Sequence, residues 1–380
     1  MIPAPVLRPL VPANSPARGT PGHITLSSAF IDPRLAPMRE LAECMRAALR
    51  EPGPATFAHV QGYPPLRELI AARLRAAGIP ADPAHVLITI GSQHALDIVC
   101  RALADKRIAT ETPAYTAAKA LFELYDAALV PLPVDPFAGI DAAAWRARLA
   151  AGRPALAFLT SRFQNPTGYS YTRAELAQIL AWSEELGFGI LEDDWASDML
   201  PAPEVRPTLR ALGGDNVLYM NAFTKKTLPS LRLGYVVGNE RTLPNLLQAK
   251  KLAINGTPAL IEETLFEFIV RGHYDAHLAR IQDLLASQRA HCLALLRALA
   301  PADVRWTEPA GGPVLWLELP RRIAIPRLLA ALAERKVLVN PQDNAFAGSP
   351  HLHGVMLGYA FPDRDELTTG IEILAQLLAQ

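Results

Sequence analysis

An α/β fold with a mostly parallel sheet between helical layers is predicted by three features of this 380-residue chain. From Pro64 onward, short β-branched or aromatic runs alternate with longer segments of helical period. Most of the short runs are bounded by polar residues, proline or glycine. Polar and glycine-rich clusters stand at their ends, which is where open parallel sheets bind ligands.

Leu66, Leu69, Ile70 and Leu74 give residues 66–77 the spacing of a helix. Residues 86–90 form a short buried strand, and Gly91-Ser92-Gln93-His94 then opens a helix through residue 103, with Ser92 as its N-cap. Further strands are expected at 107–110, 127–131, 155–160, 188–194, 217–221 and 233–237, completing a seven-stranded sheet. Helices are expected at 172–186, 243–254 and, as one long element, 261–299. Past Pro301 a smaller αβ unit follows, with strands at 314–319, 337–340 and 355–359 and helices at 326–336 and 363–378. The expected division is an N-terminal arm (1–49) packing with the small unit, a large domain (50–290) and a small domain (291–380).

Composition narrows the partners. Lys+Arg equals Asp+Glu at 37 each, and charged residues are only 19% of the chain, so no field favours nucleic acid or an anionic membrane. Cys44, Cys100 and Cys292 are odd in number and far apart, which argues against a disulfide framework or a zinc knuckle and for a reducing cytoplasm. Prolines at positions 3, 5, 9, 12, 16 and 21 break any signal-peptide core and any helix, leaving an extended arm. No apolar stretch reaches the roughly 18 residues of a spanning helix. A small-molecule partner is expected.

The strand-end clusters carry the chemistry. Gly91-Ser92-Gln93 presents free amides to an anion at the positive end of a helix. Tyr115 follows Thr112-Pro113 and is placed to lay its ring on a planar group. Asn165, in Gln164-Asn165-Pro166-Thr167-Gly168, can donate to a phenolate oxygen. Asp193 and Asp194 close an apolar run, so one points inward and one outward. Asp194 is read as the inward acid needing a cationic partner, and Asp193 as the one paired with a helix residue. Lys225 and Lys226 also diverge, which predicts one buried amine and one solvated neighbour. Desolvation would make the buried amine a nucleophile. Arg232 stands seven residues beyond Lys225. An amine for an aldehyde, an acid for a ring nitrogen and a cation for a phosphate together suit pyridoxal phosphate.

Five segments in order, VLITIGSQHA (86–95), ETPAY (111–115), QNPTG (164–168), LEDD (191–194) and FTKKTLPSLRLGY (223–235), resemble the fold-type I pyridoxal-phosphate enzymes of the class I and II aminotransferase group. The resemblance covers about 57–378 and is strongest to the aminotransferase-like domain of MocR regulators and to 2-aminoadipate-type transaminases. It implies that Lys225, chosen over Lys226 by the step to Arg232, takes the cofactor's aldehyde and relays the proton. It implies Asp194 at the pyridinium, Asn165 at the ring oxygen, Tyr115 on the ring face, and Ser92, Gln93, Thr224 and Arg232 around the phosphate. The Asn165-Pro166 bond is expected to be cis. Several positions depart from the family pattern. Phe57 replaces a tyrosine that reaches the partner's phosphate, Trp195 a cofactor-contacting tyrosine and Ala222 a hydroxyl residue. Met356 replaces the arginine that grips the substrate carboxylate, with His351, His353 and Arg321 as candidate substitutes. The implied protein is a homodimer, with its active site at the subunit interface, that transfers an amino group between an amino-acid-like substrate and a 2-oxo acid. Two alternatives stay open: elimination, oxidation or carbon–carbon bond formation on an unusual amine, and a cofactor-binding sensor without turnover. The chain starts close to the catalytic region, so the regulators' DNA-binding winged helix is not expected.

Overall fold

The computed structural model describes residues 21–51, 53, 59–200, 207–214, 216–340 and 342–380. After a two-residue strand β1 (Ile24–Thr25) come α1 (Met38–Ala48), α2 (Pro64–Ala76), β2 (Val86–Thr89), α3 (Ser92–Ala102), β3 (Arg107–Thr112) and α4 (Thr116–Leu124). The chain continues through β4 (Ala128–Asp135), β5 (Gly139–Ile140), α5 (Ala142–Gly152), β6 (Leu156–Leu159), α6 (Arg173–Leu186), β7 (Gly189–Asp193), β8 (Val217–Ala222) and β9 (Gly234–Val237). Helices α7 (Leu243–Ile254), α8 (Ala259–Val270) and α9 (His273–Leu299) follow. The last part holds β10 (Arg305–Trp306), β11 (Val314–Glu318), α10 (Ile325–Glu334), β12 (Val337–Leu338), β13 (Gly354–Gly358) and α11 (Arg364–Leu378).

The large sheet has eight strands in the order β2-β9-β8-β7-β6-β3-β4-β5. The seven expected strands are all present, and the eighth is the short edge hairpin strand β5, antiparallel to β4. From β8 to β4 every pairing is parallel. Strand β9 runs antiparallel to both β8 and β2, so it alone reverses the interior of the sheet. Successive side chains feed opposite layers, as a strand requires. Ala157, Leu159 and Ile190 pack under α5 and α6 with Trp145, Leu149, Leu176 and Ile179. Leu156, Phe158 and Leu191 pack under α3, α4 and α7 with Leu96, Val99, Phe122 and Leu246.

Two expectations are corrected, and we propose that a third, the packing of the arm, divides between the two units. The N-cap of α3 is Gly91, at φ 78°, and Ser92 is the first helical residue, because the turn out of β2 needs a left-handed residue there. The long helix 261–299 is two helices, α8 and α9, broken at Gly272 with φ 77°. The arm contains α1, whose Leu41 and Cys44 pack with Leu66, Ile70 and Leu265 against the large sheet's β2 and β9 side. The stretch ahead of it joins the C-terminal unit: Ile24 and Thr25 pair in parallel with Val337 and Leu338, Leu26 and Ala29 are buried among Val314, Leu317 and Leu357, the Asp32 amide donates to the Ala360 carbonyl and Arg34 pairs with Asp363.

Helix α9 touches both cores. Tyr274 and Leu278 pack beside α2 and α8, whereas Ile281, Leu285, Cys292 and Leu293 pack with β11, β13 and α11. We propose that the boundary expected at 290–291 lies inside this helix. All three cysteines are buried free thiols, and no helix among the described residues is long and apolar enough to cross a membrane.

The segment 26–29 is seated directly on β13. The Gly358 amide donates to the Leu26 carbonyl at 2.7 Å, and a Cβ on Gly358 would stand 2.1 Å from the Ser28 carbonyl oxygen. A Gly358→Ala substitution must therefore push backbone away from backbone, and a loss of about 1–3 kcal/mol is expected. Thermal or urea unfolding of the variant checks this; an unchanged midpoint would contradict the contact.

Candidate active site

A cavity of about 620 Å³ opens beyond the carboxyl ends of the parallel strands, between the sheet and the 27–30 segment. Eight of the nine predicted site residues line it: Ser92, Gln93, Tyr115, Asn165, Trp195, Thr224, Lys225 and Arg232. Asp194 does not; its neighbour Asp193 does.

One end of the cavity suits an anion. Helix α3 points its first turn there, and Arg232 approaches from the β8–β9 connection, donating to the Ile90 carbonyl at 3.3 Å. A Cβ on Gly91 would stand 3.2 Å from Thr224 Oγ1 and 3.3 Å from Arg232 Nη2, so only glycine leaves this cradle open. The Thr224 hydroxyl is buried with no partner. A guanidinium, a helix N-terminus and an unspent hydroxyl together suit a phosphate. Gln93 belongs to it through its place in the first turn rather than its side-chain amide, which donates to the Ala117 carbonyl at 3.2 Å.

Lys225 occupies the centre. Its Nζ lies 3.9 Å from the centre of the Trp195 ring, 5.6 Å from Tyr115 and 5.7 Å from Phe30. Phe30 comes from the N-terminal segment, where no sequence signal singled it out. Trp195 donates its one N–H to the Phe163 carbonyl at 3.2 Å, so it supplies a face and not a hydrogen bond to a cofactor oxygen. Asn165 is held on a cis Asn165–Pro166 bond, as expected, and Thr112–Pro113 before Tyr115 is also cis.

The acid assignment is corrected. Asp194 is fully buried and receives the Arg162 guanidinium, Nε on Oδ1 at 2.8 Å and a second nitrogen on Oδ2, together with the Tyr219 hydroxyl at 2.6 Å. Its oxygens are spent away from the cavity. Asp193 keeps Oδ1 buried without a partner. Burial pushes its carboxyl up to about 7, opposed by the attraction of Lys225 and reinforced by Asp194. A protonated ring nitrogen would complete it. Alternation along β7 said that the two acids diverge, and it could not say which side held Arg162. The available signal was the charged Arg162, three residues past the apolar run of β6.

Lys226 is also corrected. It is 1% exposed, ion-paired with Asp198, and donates to Asn221 Oδ1 at 2.7 Å. The fully buried member of the lysine doublet is therefore Lys226, locked in protein, while the half-buried Lys225 faces the cavity. Met356 lines the cavity. None of its proposed substitutes does: His351 Nε2 lies 3.0 Å from the Val134 carbonyl, His353 Nε2 2.9 Å from that of Ile323, and Arg321 is exposed. Phe57 lies outside the described residues.

An amine set between an anion cradle and an unpartnered acid, at the carboxyl ends of such a sheet, defines a pyridoxal-phosphate enzyme. Residues 31–347 match aminotransferase class I and II, and the chain belongs to that family. It is 30% identical to a 2-aminoadipate transaminase of Thermus thermophilus over 94% of this chain and 90% of that protein. It is 28% identical to the HTH-type transcriptional regulator NorG of Staphylococcus aureus, over 80% of this chain and 69% of the regulator. Among solved structures, the α-aminoadipate aminotransferase LysN of Thermus thermophilus, complexed with N-(5'-phosphopyridoxyl)-L-leucine, superposes with a TM-score of 0.86 at 30% identity, covering 94% of this chain and 92% of that one. An archaeal alanine:glyoxylate aminotransferase reaches 0.88 at 25% identity, covering 95% and 91%. The protein is thus an amino-group-transferring enzyme whose cofactor is pyridoxal phosphate.

The two lysines should part experimentally. Lys225→Ala is expected to abolish the visible absorbance of bound cofactor with little change in unfolding midpoint. Lys226→Met is expected to keep the absorbance and lose about 1–3 kcal/mol, because Asp198 and Asn221 lose their donor. The reverse pattern would exchange their roles.

Proposed function

We propose that this cavity exchanges an amino group between an amino acid and a 2-oxo acid, with Lys225 as its proton carrier. The observation that carries this reading is that Lys225 lines one cavity together with Thr224, Arg232 and Asp193, whose Oδ1 is bare. Bound pyridoxal phosphate supplies the aldehyde that accepts the amino group and a ring that withdraws electrons. Arg232, Thr224 and the first turn of α3, with Ser92 and Gln93, hold the phosphate. Asp193 keeps a proton on the ring nitrogen, which strengthens the electron sink. Tyr115 and Trp195 would border the ring and exclude water, and Asn165 would orient its oxygen. Lys225 Nζ then removes the proton from the substrate's α-carbon and returns it one position along. A homodimer with the cavity at the subunit interface is part of this proposal, supported by membership of the family.

Met356 favours a second reading. Among the described residues the cavity's cations are Lys119, Lys225 and Arg232, and Lys119 is paired with Glu123 at 2.6 Å. A substrate without a carboxylate beside its amine fits this lining.

Holoprotein mixed with 2-aminoadipate, glutamate, leucine and, separately, simple primary amines tests both readings. The first expects the absorbance of the amine form of the cofactor with amino acids, and the amino acid of an added 2-oxo acid as product. Conversion by amines alone would establish the second. Conversion by none would end the transfer reading. Light scattering should give about twice the chain mass.

A further inference from the structure

We propose that Arg162 is a positioning residue that decides which of two adjacent carboxylates serves the cofactor; this rests on the reading of Asp193 as the ring-nitrogen acid. Strand β7 ends in three consecutive buried acids, Glu192, Asp193 and Asp194, exposed by 0%, 4% and 0%. Each outer one is fully engaged. Glu192 accepts from the amides of Leu209 at 2.7 Å and Arg210 at 2.9 Å. Asp194 takes the Arg162 fork and the Tyr219 hydroxyl. Asp193 alone retains an oxygen with no partner.

Arg162 is itself only 2% exposed. It sits three residues before Asn165 on the same connection, and between them the Phe163 carbonyl accepts from Trp195 at 3.2 Å. One loop thereby neutralises Asp194, fixes the indole beside Lys225 and presents Asn165. Without the guanidinium, Asp194 would be a buried charge held by one phenol and repelling Asp193. The reverse imbalance is equally damaging. Without Asp194, the buried guanidinium is left with Glu192 as its carboxylate neighbour, whose oxygens the Leu209 and Arg210 amides already hold.

This makes the pair a matched set, testable by a cycle read in cofactor dissociation constant and visible spectrum. Arg162→Met and Asp194→Asn are each expected to weaken pyridoxal phosphate by about tenfold and alter its visible band, the size of coupling carried by a shared ion-pair network. The double variant Arg162→Met with Asp194→Asn, which buries no charge at either position, is expected to recover affinity to within about threefold of the unmodified protein. Arg162→Lys should recover only part, since one ammonium cannot reproduce the two-pronged contact. A double variant as weak as the singles, or a single variant with unaltered affinity and spectrum, overturns the proposal. Asp193→Asn serves as the separate control: if it retains both affinity and spectrum, the ring-acid reading fails whatever Arg162 does.

Discussion

Charge buried beyond the ends of β7 and β8 must be compensated inside the protein, and the architecture of the site follows from how this is done. Buried Asp193, Asp194, Arg162 and Lys226 meet the half-buried Asp198 and Lys225 there. An unpaired ion there costs several kcal/mol. Arg162 takes Asp194 and Lys226 takes Asp198, each with extra hydrogen bonds from Tyr219 or Tyr274. What remains is an amine bordered by aromatic rings and a carboxylate with one bare oxygen. The reactive pair is what is left over when the structural pairs are satisfied.

The scaffold places that remainder. Parallel strands β3, β6, β7 and β8 all end on one side of the sheet, so the residues following them converge without sharing sequence neighbourhood. Antiparallel β9 brings Arg232 back beside the start of α3, where the positive helix end already favours an anion. The far wall comes from the segment 27–30, anchored through β1 on β12 and through Leu26 on β13. The cavity thus depends on a chain terminus held by backbone hydrogen bonds to the C-terminal unit.

Much of this was legible in the residues. The seven expected strands stand out because most are short apolar runs flanked by turn formers, and the strand-end clusters stand out because polar residues there need a reason. Misreadings arose where a local rule met a distant partner. Alternation separated Asp193 from Asp194 and Lys225 from Lys226, but the side facing the cavity was set by Arg162 and Asp198 on other connections. The helix period ran through Gly272 because both flanking segments are apolar; the left-handed turn shows only in the backbone. Helix α1 escaped notice beside a proline-rich beginning, although Leu41 and Cys44 lie three residues apart on one face.

The sequence by itself determined the α/β class and, through ordered motifs that resemble a known family, the cofactor; it also singled out Lys225, Arg232, Thr224, Asn165 and Tyr115, which line one cavity. Only the tertiary structure decided that Asp193 rather than Asp194 faces the cavity, that Lys226 is buried, and that Phe30 joins Trp195 and Tyr115 around Lys225. The physical reason is the same in each case. A charged or aromatic side chain goes where its partner is, and those partners are brought by folding from segments up to about two hundred residues away in the chain.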